Sequence, residues 1–156
     1  QGEGRHDAPD LYGVLYLAET AVSAVAEQLA RFRGRPFRSE MLVRRGHPLA
    51  LVRYELDDVL PLVDFDDPET LRAEALRPSL IATRQRAVTQ ATARRLFLEH
   101  PNAGGLRWWS TIEASWINVT LFTERVQKDL DVATPIALAP EIPVVRDACS
   151  ALGLST

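Results

Sequence analysis

The chain has 156 residues, a mass of 17.4 kDa and a formal net charge of −3, with 46% hydrophobic and 25% charged residues. That length suits one domain and leaves no room for two enzyme domains. The composition excludes disordered, collagenous and coiled-coil classes, and the acidic balance gives no global attraction to nucleic acid or an anionic membrane. The single cysteine, Cys149, excludes an internal disulfide framework and a cysteine-based zinc cluster, and fits a reducing cytoplasm. The apolar runs fall far short of the roughly 20 residues needed to cross a bilayer. A cytoplasmic protein with no membrane association is expected.

Residues 1–10 are rich in Gly, Asp and Pro and read as a loop, followed by a strand from Val14 to Leu17. Thr20 suits an N-cap for a helix that ends near Arg33, before Gly34 and Pro36. Its apolar positions Val22, Val25, Ala26, Leu29 and Ala30 follow the helical period, so one face packs on a core. Glu27 falls about 140° from Val22 on that wheel, where periodicity alone makes it a solvated polar residue. Arg31, Arg33, Arg35, Arg38, Arg44 and Arg45 then form a local basic patch, read as a solvated or protein-facing surface ahead of a DNA-binding one.

A turn at Gly46-His47-Pro48 precedes a strand over Leu49 to Leu56. The acidic stretch Asp64 to Pro68 breaks structure, a short helix covers Glu69 to Leu76, and a longer one covers Arg84 to His100, ended by Pro101-Asn102-Ala103-Gly104-Gly105. Strands at Leu106 to Trp109 and Trp116 to Phe122 flank a polar turn at Ser110 to Glu113, and after a proline-spaced extended stretch a last helix runs from Val144 to Leu152. Helices and strands interleave irregularly, which gives an α+β class with a small mixed sheet and flanking helices, organised as one domain over 1–156.

Several chemistries find no support. His6, His47 and His100 are scattered with no metal-ligand spacing, so no metal site is expected. No G-x-S-x-G elbow marks a serine nucleophile, and the glycines build neither a dinucleotide-binding fingerprint nor a P-loop. The pair Trp108-Trp109 followed by Ser110 is open to two readings: a stacking wall beside a polar contact, or one ring in the core and the other at the surface.

Gly4-Arg5, Tyr12-Gly13-Val14-Leu15-Tyr16-Leu17-Ala18-Glu19-Thr20, Ala24-Val25-Ala26-Glu27, Gly104-Gly105-Leu106-Arg107-Trp108-Trp109-Ser110 and Asn118-Val119-Thr120-Leu121-Phe122 together resemble the RES domain family, named for its arginine, glutamate and serine. The resemblance runs from about residue 4 to residue 122 and rests on order and spacing. It implies a fold similar to ADP-ribosyltransferase toxins and membership of a toxin–antitoxin pair, with a partner antitoxin of the Xre helix-turn-helix type in a hetero-oligomer. The implied activity is consumption of NAD as substrate, by phosphorolysis with inorganic phosphate as co-substrate or by hydrolysis, with no prosthetic group. Transfer of ADP-ribose to a protein, or an inert antitoxin-binding domain, are the alternatives.

The resemblance assigns the catalytic roles to Arg5, Glu27 and Ser110, and adds Tyr16, Trp109 and Asn118 to the NAD-binding set. His6 stands where an aromatic residue is more usual, and the family's opening strand, with an arginine of its own, belongs before Gln1. The residue types suit the chemistry. Breaking the nicotinamide–ribose bond builds oxocarbenium character that a carboxylate stabilises, arginine matches a pyrophosphate, and a neutral leaving amide demands no strong acid.

Overall fold

In the computed structural model, residues 2–56, 60–126 and 130–155 are described; Gln1 and Lys128 lie outside them. The elements in chain order are β1 (Val14–Ala18), α1 (Ala21–Leu29), β2 (Val43–Arg44), β3 (His47–Pro48), β4 (Ala50–Leu51), β5 (Tyr54–Leu56), β6 (Leu62–Asp64), α2 (Pro68–Ala73), α3 (Pro78–Ile81), α4 (Arg86–Glu99), β7 (Gly105–Trp109), β8 (Ile117–Phe122), α5 (Thr123–Val126), β9 (Leu130–Val132), β10 (Ile136–Ala137) and α6 (Pro143–Leu152). The class is α+β, as expected. The chain forms two compact units, Gln1–Leu17 with Leu56–Leu130, and Ala18–Glu55 with Asp131–Thr156.

The first unit is built on a four-stranded sheet in the order β1-β8-β7-β6. It is mixed: β6 runs parallel to β7 with Leu62 opposite Gly105, whereas β7 and β8 are antiparallel with Trp108 opposite Asn118 and Leu106 opposite Thr120. Central β8 is buried from Asn118 to Phe122, and its alternate residues feed two apolar clusters. Val119 and Leu121 join Val126, Leu15, Leu17 and Leu62. Phe122 joins Leu106, Trp108, Tyr12, Phe65 and the Ala93 and Leu96 stripe of α4. Gly105 permits close strand approach, because a Cβ there would collide with the Thr120 carbonyl.

Helix α4 has no glycine at its C-terminus. Arg125 ties down its end instead, donating to Phe97 O in the last turn at 2.6 Å and, at 2.7 Å, to His100 O at the cap and Ala103 O in the loop beyond, with its guanidinium 3.7 Å over the Phe97 ring.

In the second unit α1 packs against α6. The Thr20 hydroxyl accepts from the Ser23 N–H at 3.1 Å, and the buried residues of α1 are Ser23, Val25, Ala26 and Leu29. Helix α6 opens on Pro143, closes on Gly153 in the left-handed region and buries Val145, Ala148, Cys149 and Leu152. The segment expected as one strand over 49–56 is two strands separated by Val52 and Arg53, and β4 pairs with β10, Leu51 opposite Ile136. β2, β3, β6, β9, α3 and α5 were not anticipated, and His47-Pro48, expected in a turn, is β3; each has two to four residues, too few to show a period.

Candidate functional site

The loop before β1 carries Arg5, and side chains hold several of its polar backbone groups. Asp7 accepts from the Gly2 N–H at 2.6 Å and the Gly4 N–H at 3.0 Å. The Tyr16 hydroxyl donates to the other Asp7 oxygen at 2.7 Å and accepts from the His6 N–H at 2.8 Å. Tyr12 donates to His6 O at 3.0 Å, Thr89 of α4 donates to Arg5 O at 2.6 Å, and Gln90 donates to Gly4 O at 2.8 Å. Gly4 is required here, since a Cβ would lie against the Asp7 carboxylate and 2.6 Å from the Tyr16 hydroxyl. Burial acts to raise the Asp7 pKa, but the bonds from Gly2, Tyr16 and Gly4 together outweigh it and hold the carboxyl below its usual range. Burial and the Asp7 contact push the Tyr16 phenol up.

Arg5 is buried, at 7% exposure, so its charge has to be satisfied inside the protein. Nη1 donates to Ile81 O at 2.9 Å and Thr83 O at 2.7 Å, which uses both its hydrogens, and the guanidinium lies 5.1 Å from the centre of the Trp108 ring. His6 Nδ1 is 2.9 Å from the Thr120 hydroxyl, which also accepts from Trp108 Nε1 at 3.1 Å. Burial first, then the charges of Arg5 and Arg86, lower the His6 pKa to about 3. His6 is therefore a neutral imidazole at pH 7, and the fixed positive charge of the loop is that of Arg5.

β7 and β8 position the remaining residues. Trp108 is buried and Trp109 half-buried, which separates the two tryptophan roles that the sequence left open. Ser110, buried, donates its N–H to Trp116 O at 2.6 Å, and its hydroxyl accepts from the Ile112 N–H at 3.0 Å. Asn118 is buried directly across from Trp108. Arg5, Tyr16, Trp109, Ser110 and Asn118 thus all belong to the first unit.

Glu27 belongs to α1 of the second unit, where it is half-buried and not fully solvated as the helical wheel suggested. Ser23 lies one turn earlier, about 40° away on an ideal helix, and its burial widens the covered face towards Glu27. Sequence reasoning missed Thr89 and Thr120 because each acts on the arginine loop through a tertiary contact, and it also missed Asp7, whose contacts to Gly2 and Gly4 are local. The pattern Gly2-x-Gly4-x-x-Asp7, two small residues presenting amides to a nearby carboxylate, was the available signal.

Two further features belong to the first unit. An open hollow of about 340 Å³ is lined by Gly2, Asp7, Pro9, Asp10, Gln90 and Arg94, with Arg94 and Asp10 paired at 2.7 Å. Glu74, Glu99 and His100 come together at the end of α4 in a geometry suited to metal ligation, which the sequence spacing did not suggest. Arg95 pairs with both Glu74 and Glu99, supplying the positive charge that a cation would bring. Among the described residues no helix is long and apolar enough to cross a membrane.

No curated protein matches the chain. Among solved structures, a chain of the M. tuberculosis MbcT–MbcA toxin–antitoxin complex shares the fold with a TM-score of 0.60 and 19% identity, covering 88% of this chain and 72% of that one. The RES domain family matches residues 1–147, a span that takes in the arginine loop, β1, α1 and the β7–β8 pair. The chain belongs to the RES domain family.

Proposed function

We propose that the chain is the toxin of a bacterial toxin–antitoxin pair and that it consumes NAD by breaking the bond between nicotinamide and ribose. The observation that carries this reading is the family match over 1–147, which includes Arg5, Tyr16, Glu27, Trp109, Ser110 and Asn118, together with the loop that holds Arg5 rigidly beside Trp108. The fold shared with a chain of a toxin–antitoxin complex supports a partner antitoxin, and the family resemblance is the ground for proposing one of the Xre type.

In this mechanism the Glu27 carboxylate stabilises positive charge developing on the ribose and hydrogen-bonds a ribose hydroxyl, contacts that strengthen towards the transition state. Arg5 contributes fixed positive charge to the pyrophosphate. Its Nη1 anchors to Ile81 and Thr83 remove the rotamer entropy that a mobile arginine loses on binding. The Tyr16 hydroxyl is committed to Asp7 and His6, so its 40%-exposed ring offers a face to stack on nicotinamide, with Trp109 as the second ring. Ser110 and Asn118 supply polar contacts to the amide and its ribose. Water or inorganic phosphate attacks the sugar carbon as nicotinamide departs.

Incubation with NAD, with and without phosphate, should release free nicotinamide, and Glu27→Gln should lower the rate by about 100-fold or more. A phosphorylated sugar-nucleotide product that needs phosphate identifies phosphorolysis. Label from NAD retained on a protein identifies ADP-ribosyl transfer. Absence of release from the antitoxin-free chain refutes the enzyme reading and leaves an antitoxin-binding domain.

A further inference from the structure

We infer that the arginine-rich segment 31–45 of the second unit is a docking surface for an acidic segment of a partner polypeptide. Six arginines and one acidic residue, Glu40, lie in these fifteen positions, and all six arginines are exposed. Elsewhere, Arg53, Arg72, Arg94, Arg95 and Arg107 each have a carboxylate partner, while Arg77, Arg84, Arg86 and Arg146 have none among the described residues but are not clustered as these six are. Among the described residues, none of Arg31, Arg33, Arg35, Arg38, Arg44 and Arg45 forms an ion pair. Arg44 Nη1 reaches Gln28 Oε1 at 3.4 Å, and Gln28 precedes Arg31 by three residues, so the two ends of the segment meet at the C-terminal end of α1.

The backbone adds an independent observation. β2 and β3 form a hairpin in which Arg44 pairs with His47, leaving Arg45 and Gly46 as a two-residue turn with φ of 53° and 80°. Asn-Gly is the ordinary sequence for a two-residue turn with both φ values positive, because an L side chain is disfavoured there. The fold accepts local strain to present an arginine at the hairpin tip, and such strain tends to accompany binding surfaces.

The surface suits a polypeptide better than a nucleic acid. Half-buried Phe32 and Phe37 and exposed Val43 interleave with the charges, giving apolar contacts that a phosphate backbone does not use. The whole chain carries −3, so a long polyanion meets repulsion beyond the patch, while a short acidic segment senses only the field within about 8 Å. Arginine forks pair with carboxylates bidentately. This assignment holds whatever reaction the first unit serves.

The test uses the full chain, a fluorescent poly-glutamate peptide, and single-stranded RNA and duplex DNA of equal charge. The peptide should bind in a salt-dependent manner, and the R35Q/R38Q/R45Q triple variant should weaken it about tenfold. An R53Q/R72Q/R77Q control, which makes the same change in net charge, should leave binding within about twofold. R45N separates the two roles of the tip: asparagine relieves the turn and should raise the melting temperature while weakening the peptide. Tighter binding of RNA or DNA than of peptide, equal losses in the two triple variants, or no peptide binding by the folded wild type would each overturn the assignment.

Discussion

Lowering the pH from 7 to 5 should destabilise this protein through His6. The imidazole is 3% exposed, and its pKa falls from 6.5 to about 3 on folding, so the folded state keeps it neutral where the unfolded chain protonates it. The folded pKa is depressed, so the stabilisation is complete above pH 6.5 and is lost as the pH falls from 6.5 towards 3. Each pH unit inside that window removes about 1.4 kcal/mol, so from pH 6.5 to 5.0 this one group costs about 2 kcal/mol. In a chain of this length that corresponds to a fall of roughly 4–8 °C in melting temperature.

The assay is thermal unfolding at pH 7 and pH 5 for the wild type and His6→Phe, which keeps an aromatic ring beside Trp108 but removes the titrating group. Other titrating groups are common to both proteins and cancel in the difference. The variant starts lower at pH 7, because it loses the contact to Thr120. Its melting temperature should then fall by several degrees less than that of the wild type. Equal falls in the two proteins would refute the account of a buried neutral imidazole.

Gly4→Ala should destabilise the first unit by about 1–3 kcal/mol in denaturant titration, because the new methyl forces apart the Asp7 carboxylate and the Tyr16 hydroxyl. Arg125→Leu should cost about 3 kcal/mol or more, since it removes the donor to the Phe97 and Ala103 carbonyls and leaves His100 O with the Ala103 N–H, whereas Arg125→Lys should recover part of the loss. Cys149 is fully buried and burial raises its thiol pKa, so a thiol reagent at pH 8 should modify it only at the rate of unfolding.

The sequence made the long periodic elements legible. α1 has its Thr20 cap but ends at Leu29, four residues before the expected Arg33, with a 3-10 turn over Ala30–Phe32; α4 starts two residues late and ends one early, and α6 lies within one residue of its reading. β1, β7 and β8 were also anticipated, because apolar, β-branched or aromatic residues concentrate there in short runs. β6 was not, since Leu62-Val63-Asp64 takes its strand form from parallel pairing to β7, a contact more than forty residues away along the chain. At the candidate site, the residue types came from the family resemblance and their anchoring came from the structure. Nothing in the local pattern pairs His6 with Thr120 or Arg5 with the carbonyls of Ile81 and Thr83. Glu27 was read as solvated because the wheel counted apolar residues alone, and Ser23, polar and buried, did not enter it.

The strand order of the sheet also sets a timetable for synthesis. β1 ends at Ala18, but its neighbour β8 begins at Ile117, and His6 has no Thr120 to meet until that strand is made. At ordinary elongation rates the interval is on the order of ten seconds. Throughout it His6 lacks its hydroxyl partner, whereas Ile81, Thr83, Thr89 and Gln90, which hold Arg5 and Gly4, are made well before β8, so His6 is the last residue of the loop to gain its native contact.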